Sequence, residues 1–88
     1  MALAQKIGFT NGIAMTYMYY GFLADDASNF FDAIKNYKLS LKTFELLGSK
    51  KGQANVYNSL GMVFYIQGNY PEALKQHFEA LKLRESIG

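Results

Sequence analysis

The chain has 88 residues; half are apolar, 16% are aromatic, and nine basic residues exceed seven acidic ones by only two. This composition excludes a disordered chain, and the even spread of the charges argues against a nucleic-acid surface. Because there is no cysteine, disulfides, thiolate nucleophiles and sulfur-rich metal sites are excluded as well.

The first residues of the chain show no targeting or membrane pattern. Residues 1–8 lack the charged start and long apolar run of a secretory signal. The most apolar stretch, residues 13–24, is shorter than the roughly 20 residues that span a bilayer. The sequence therefore predicts a cytoplasmic protein with no membrane partner.

Apolar residues recur at helical spacing along the whole chain. The spacing predicts five helices, at about residues 2–7, 10–24, 29–47, 50–67 and 70–87. Gly8-Phe9 and Gly48-Ser49 are expected to separate successive units, because glycine readily ends a helix.

The turns inside the two units differ in composition. In the second unit, Gly68 is predicted to end one helix in the left-handed conformation, Asn69 to cap the next helix, and Pro71 to occupy its first turn. In the first unit Ser28 replaces the glycine, so we expect a less ideal turn there, with Asp26 or Ser28 as the cap.

The two units are copies of one another. Residues 9–48 align with residues 49–88 without a gap. The aligned segments are identical at eleven positions: Gly12/Gly52, Ala14/Ala54, Tyr17/Tyr57, Gly21/Gly61, Asn29/Asn69, Ala33/Ala73, Lys35/Lys75, Leu41/Leu81, Lys42/Lys82, Glu45/Glu85 and Gly48/Gly88. A fixed period of this length is typical of stacked helical arrays.

The second copy carries a recognisable signature: Tyr57, Leu60, Gly61, Phe64, Gly68, Tyr70, Ala73 and Ala80, in this order and spacing. It resembles the tetratricopeptide repeat. The first copy departs from the pattern at Ala24, Ser28 and Ser40, so looser packing is expected there. HEAT and armadillo repeats match the 40-residue length better than the usual 34-residue tetratricopeptide unit, but the residues favour a longer, 40-residue tetratricopeptide subgroup, which is found in bacterial signalling proteins.

The resemblance implies an all-α fold, an α-solenoid of antiparallel helix hairpins. We expect residues 1–88 to form one domain, in which residues 1–8 are the tail of a preceding repeat, 9–48 the first repeat and 49–88 the second. The chain is then a fragment of a longer array, from a larger regulatory or signalling protein.

The resemblance also implies a function, the binding of a protein or peptide in a concave groove that the first helix of each repeat lines. The groove residues by this resemblance are Met15, Met18, Phe22, Asp25, Asp26, Asn55, Asn58, Met62, Tyr65 and Ile66. Because methionine side chains adapt to different apolar shapes, we expect the ligand to be an apolar peptide or helix. The alternative is that these residues belong to the hydrophobic core, because methionine and aromatic residues at helical spacing are more often core than binding site. We favour the core interpretation by about two to one for Met15, Met18 and Phe22.

Self-association is the alternative function. Two repeats fall short of the three or so that such arrays need, so apolar residues at both ends are expected to meet another copy, as a homodimer or by helix exchange. These residues are Phe78, Leu83 and Ile87 at one end and Leu3 and Ile7 at the other. RNA binding is disfavoured because the first helices carry few basic residues.

Three sequence features resemble catalytic or ligand-binding sites but have simpler explanations. His77, the only histidine, is predicted to pack inward with one ring nitrogen hydrogen-bonded. Asp25 and Asp26 are neighbours in a turn and do not face each other as a catalytic pair must. Residues 48–52 lack the spacing of a phosphate loop. The sequence therefore predicts no enzyme, no catalytic residue, no cofactor and no metal.

Overall fold

A computed structural model of the chain contains four α-helices: α1 (Ala2–Asp26), α2 (Phe30–Leu47), α3 (Lys50–Ile66) and α4 (Tyr70–Ser86). It describes the backbone of residues 2–87 and the side chains of residues 8–87, and no strand occurs within that range. α1 packs on α2, α2 on α3, α3 on α4, and α1 also touches α3. The predicted fold class, an all-α solenoid of helix hairpins, is confirmed.

The predicted break between residues 7 and 10 is wrong, because α1 is continuous from Ala2 to Asp26. A glycine ends a helix when it takes a positive φ, and in the described residues only Gly48 and Gly68 do so among the glycines. Gly8 therefore weakens the helix without ending it. The assignment of residues 1–8 to a preceding repeat stays a prediction.

The turn between α1 and α2 contains a strained serine. Gly68 takes the left-handed conformation as predicted, with φ of 80°, and Ser28 takes it at the matching place, with φ of 62°. Neither Asp26 nor Ser28 caps α2. The cap is Asn29, whose side chain accepts a hydrogen bond from the Asp32 backbone N–H. Ser28 cannot cap because it must supply the backbone bend that glycine supplies in the second turn.

The other two helix starts differ in how well they are capped. Gly48 ends α2 in the left-handed conformation, and the Ser49 side chain then accepts a hydrogen bond from the Gly52 backbone N–H at 3.2 Å. Pro71 lies in the first turn of α4, as predicted. Asn69 occupies the predicted cap position of α4, but its side chain makes no capping hydrogen bond.

Within each hairpin, a ring from the second helix lies against a glycine of the first. A Cβ added to Gly21 would come within 2.7 Å of the Tyr37 ring, and one added to Gly61 within 2.6 Å of Nε2 of His77. Ala33 and Ala73, the small residues on the second helices, are buried. Both hairpins therefore contain a close approach of paired helices at small side chains.

The same arrangement joins the two hairpins. The Phe44 ring of α2 lies against Gly52 of α3, where an added Cβ would be 2.6 Å from its Cε1. Tyr37, also on α2, contacts α1 through Gly21 and belongs to the same buried cluster as Val56 and Leu60 of α3. The α2–α3 contact thus makes one continuous core from the two copies.

The packing around Ser40 is tight, contrary to the expectation for the first copy. Its side chain is fully buried, and its hydroxyl donates a hydrogen bond of 2.7 Å to the carbonyl oxygen of Ala14. The hydroxyl therefore occupies the interhelix space without leaving a buried polar group unpaired. The strain of the first copy is confined to the turn at Ser28.

We predict that Ser28→Gly raises the free energy of unfolding by about 1 kcal/mol, because glycine takes a positive φ without the steric penalty of a side chain. Gly68→Ser should lower it by a similar amount at the matching turn. Urea denaturation followed by circular dichroism measures both, and equal effects of the same sign would contradict the argument.

The pair Gly12 and Gly52 tests the ring-on-glycine contact. A Cβ on Gly12 meets nothing within 4 Å, whereas one on Gly52 collides with Phe44. Gly12→Ala should therefore stabilise the chain by about 1 kcal/mol through helix propensity. Gly52→Ala should destabilise it by about 1–3 kcal/mol through overpacking. Thermal unfolding of the two variants beside the wild type should shift in opposite directions.

Candidate functional site

The candidate site is the groove on the side of the molecule where α1 and α3 touch. Because each connection reverses the chain direction, these two first helices run parallel, with α2 and α4 behind them. A hollow of about 320 Å³ opens between α1 and α3. It is lined by Asn11, Met15, Met18, Phe44, Ser49, Lys51, Gly52 and Asn55.

Three predicted groove residues meet in this hollow: Met15, Met18 and Asn55. The competing interpretation of the methionine and aromatic stripe as core is wrong for Met15 and Phe22, whose side chains are 54% and 59% exposed. It is right for Met18, which is half-buried and packs against the core. Met18 forms the floor of the hollow, and Met15 remains free to contact a ligand.

The remaining predicted residues lie outside the hollow, further along the helices. Met62, Tyr65 and Ile66 are exposed on α3, and the Tyr65 ring meets the Tyr70 ring edge to face at 5.3 Å between centroids. Asp26 is exposed and Asp25 is half-buried at the end of α1. None of these five residues lines the hollow.

Asn58 is engaged within the protein. Its amide oxygen lies 3.1 Å from Nδ1 of His77, and with the proton on Nδ1 the imidazole donates this hydrogen bond. His77 is half-buried with its other nitrogen towards Gly61, so the predicted inward packing with one bonded ring nitrogen is confirmed. Asn58 therefore has less capacity for a ligand than Asn55, which is exposed.

Lys51 is a groove residue that the sequence analysis missed. Its side chain lines the hollow beside Asn11 and Asn55. The signal was available, because Lys51 precedes Asn55 by four residues and residues at this spacing share a helix face. The hollow thus has an amino group near the start of α3.

Tyr37 on α2 is buried and Tyr57 on α3 is half-buried, and both have raised pKa values. Burial, together with the negative charge of Asp25, raises the pKa of Tyr37, and the hydrogen bond with Ser59 opposes this. Burial also raises the pKa of Tyr57, helped by Glu45 and Glu79. Both hydroxyls are held in the neutral form, as packing groups require.

In the part of the chain whose residues are described, no group of three or more His, Asp or Glu side chains is placed to hold a metal ion. Across the same residues, none of the helices has the length and apolar character needed to traverse a bilayer. What the groove does offer is exposed apolar surface with a few polar groups, an arrangement suited to binding a peptide.

A family model described as tetratricopeptide repeat matches residues 12–86. The chain belongs to the tetratricopeptide repeat family. Repeats of this family generally mediate protein–protein interaction and are generally non-catalytic scaffolds. Comparison with curated proteins gave no match, and neither did comparison with solved structures.

The raised pKa values of Tyr37 and Tyr57 predict that this tetratricopeptide repeat chain loses stability in alkali. In the unfolded chain these tyrosines release their protons near the ordinary pKa of 10.0, before the folded chain does, so ionisation favours unfolding as the pH rises through this range. The urea midpoint should be lower at about pH 10.5 than at about pH 8. Tyr57→Phe should reduce this difference, whereas Tyr19→Phe, at an exposed position, should leave it unchanged.

Proposed function

We propose that this tetratricopeptide repeat chain is a protein interaction module that binds an apolar peptide or helix along the groove between α1 and α3. The observation that carries the proposal is the exposure of large apolar side chains on these two helices, among them Met15, Phe22, Met62 and Tyr65. Exposed apolar patches of this extent on a small protein are typical of binding surfaces.

The chemistry of the groove favours a partner with an apolar face. Met15 and Met62 have flexible thioether side chains that adapt to different apolar shapes at low energetic cost. Phe22 and Tyr65 add rigid aromatic surface, which supplies much of the binding energy at protein interfaces. A helix with apolar residues three and four positions apart meets both kinds of surface.

The charged residues along the groove can orient a bound peptide. Lys51 stands near the start of α3, and Asp25 and Asp26 end α1. Since α1 and α3 run parallel, the amino group and the carboxylates lie towards opposite ends of the groove. A bound peptide is therefore oriented with its acidic group near Lys51 and its basic group near the two aspartates.

The resemblance to the 40-residue subgroup extends the proposal to the role of the module. We infer that the chain belongs to a larger regulatory or signalling protein in the cytoplasm, where it docks a partner and performs no catalysis. The family match supports docking as the activity, because the repeats of this family generally mediate protein–protein interaction.

The test uses amphipathic helical peptides displayed on phage and selected against the immobilised chain. A selected peptide is synthesised and titrated calorimetrically into the wild type, Met15→Lys and Met62→Lys. Each substitution places a charge on the apolar groove, so each should weaken binding about tenfold, or about 1.4 kcal/mol.

Leu46→Lys is the matched control, because Leu46 is an exposed apolar residue of α2 outside the groove. It should leave the affinity unchanged, and circular dichroism verifies that all three variants fold. The proposal fails if no peptide is selected, or if selected peptides bind both groove variants as tightly as the wild type.

A further inference from the structure

The second helix has a side that no other helix covers. Its buried residues lie on one side, and α1 and α3 both pack on it. With 3.6 residues per turn, positions three and four apart on the opposite side form one stripe. This stripe, the α2 back face, consists of five exposed residues: Phe31, Lys35, Lys38, Lys42 and Leu46. Both helices that neighbour α2 in the chain are described, and neither covers this stripe, so its exposure follows from the hairpin packing itself.

The two ends of the α2 back face are apolar and highly exposed. Phe31 is 79% exposed and Leu46 is 78% exposed, more than any other large apolar side chain in the described part of the chain. Leu39, which lies beside the stripe, is also exposed. Side chains left in water to this extent contribute little hydrophobic burial to the fold. They gain such burial only in contact with a partner.

The second copy shows that the fold does not need apolar residues at these places. α4 has the same position in its hairpin as α2, and residues 29–47 align with residues 69–87. Polar residues or proline stand in α4 where α2 has apolar ones: Pro71 for Phe31, Glu79 for Leu39 and Ser86 for Leu46. The hairpin packing therefore does not account for the apolar residues of the α2 back face.

The middle of the α2 back face carries positive charge that the protein does not neutralise. Its three lysines share one side of the helix, and none of them forms an ion pair with the described residues. On α4, by contrast, Nζ of Lys82 lies 3.3 Å from Oε1 of Glu79. Leu39 takes the place of that glutamate on α2. Like charges at this spacing repel one another, and carboxylates from another molecule would relieve the repulsion.

We propose that the α2 back face binds an acidic amphipathic helix of another protein, with carboxylates in the middle of its contacting side and an apolar residue at each end. At 1.5 Å per residue the three lysines span roughly 10 Å of α2, and Phe31 and Leu46 lie roughly 22 Å apart. Glutamates three and four residues apart on the partner repeat the spacing of the lysines, because both helices have the same rise. The apolar ends add buried surface. The α2 back face is separate from the groove, so the inference does not depend on peptide binding there.

Charge at the ends of the α2 back face favours this partner over other anionic ones. Asp32 follows Phe31, Glu45 precedes Leu46, and both acidic residues are exposed. An anionic bilayer or a nucleic acid presents negative charge along the whole face and meets repulsion at both ends. A helix can carry its carboxylates in the middle alone. A second copy of this chain is also disfavoured, because two such faces in contact would bring lysine against lysine.

The test uses a synthetic alanine-rich helix of about 20 residues, with three glutamates at the spacing of the lysines between two leucines. It is titrated calorimetrically into the whole chain. The variant Lys35→Gln/Lys38→Gln/Lys42→Gln should bind it about tenfold more weakly, because exposed ion pairs are individually weak but three are lost together. Phe31→Ala and Leu46→Ala should each weaken binding about threefold through lost apolar contact. All five residues are exposed, and circular dichroism verifies that the variants fold.

A matched control removes the same charge elsewhere. Lys51→Gln/Lys75→Gln/Arg84→Gln changes three exposed basic residues outside the α2 back face, one of them in the groove. It should keep the affinity within about twofold of the wild type, because charges at a distance are screened by salt. The proposal is overturned if the wild type does not bind the acidic helix, or if the control loses as much affinity as the α2 variant. If the chain binds phosphatidylserine vesicles and not the acidic helix, the partner is a bilayer and the proposal is wrong.

Discussion

The structure depends on one repeated contact, a planar ring seated against a glycine. Tyr37 lies on Gly21 within the first hairpin, Phe44 on Gly52 between the hairpins, and His77 on Gly61 within the second. In each case the missing side chain lets the helices approach until the ring fills the gap between them, and close packing of this kind tolerates no added methyl group. The contact explains how so short a chain, with many exposed apolar residues, still forms a continuous core.

The same contact determines which surfaces remain free. The rings on α2 and α4 pack against the helices that precede or follow them in the chain. One side of each first helix, α1 and α3, is therefore left out of the core, and this side forms the groove. Lys51 and Asn55 lie there together with Met15. The groove is thus a consequence of the hairpin packing, and its exposed residues are free to vary in chemistry because the core does not use them. A family that shares one fold can in this way bind many partners.

The sequence predicted the parts of the fold that depend on local chemistry. Helical apolar spacing and the alignment of residues 9–48 with 49–88 indicated the two hairpins, and Gly68 with Pro71 indicated the second turn. Prediction failed for residues that can serve two purposes. Gly8 was expected to end a helix but lies inside one, and Ser28 was expected to cap α2 but supplies a backbone bend. The Phe44 contact was missed because it depends on how the second hairpin lies on the first, and no local pattern predicts that. Lys51 was missed although its spacing to Asn55 predicts a shared helix face. The groove residues themselves rest on the resemblance and remain predictions.

Gly12 shows why the repeat carries more information than either copy alone. Its neighbourhood in sequence gives no reason for a glycine in the middle of a helix, where glycine is unfavourable. Its counterpart Gly52 has a reason, the ring of Phe44. At Gly12 an added Cβ would meet nothing within 4 Å, so the described hairpins give this glycine no ring to accommodate. The groove and the glycine notch at Gly52 therefore have different physical characters: flexible methionines adapt to many ligands, whereas a glycine notch requires a particular helix in a particular register.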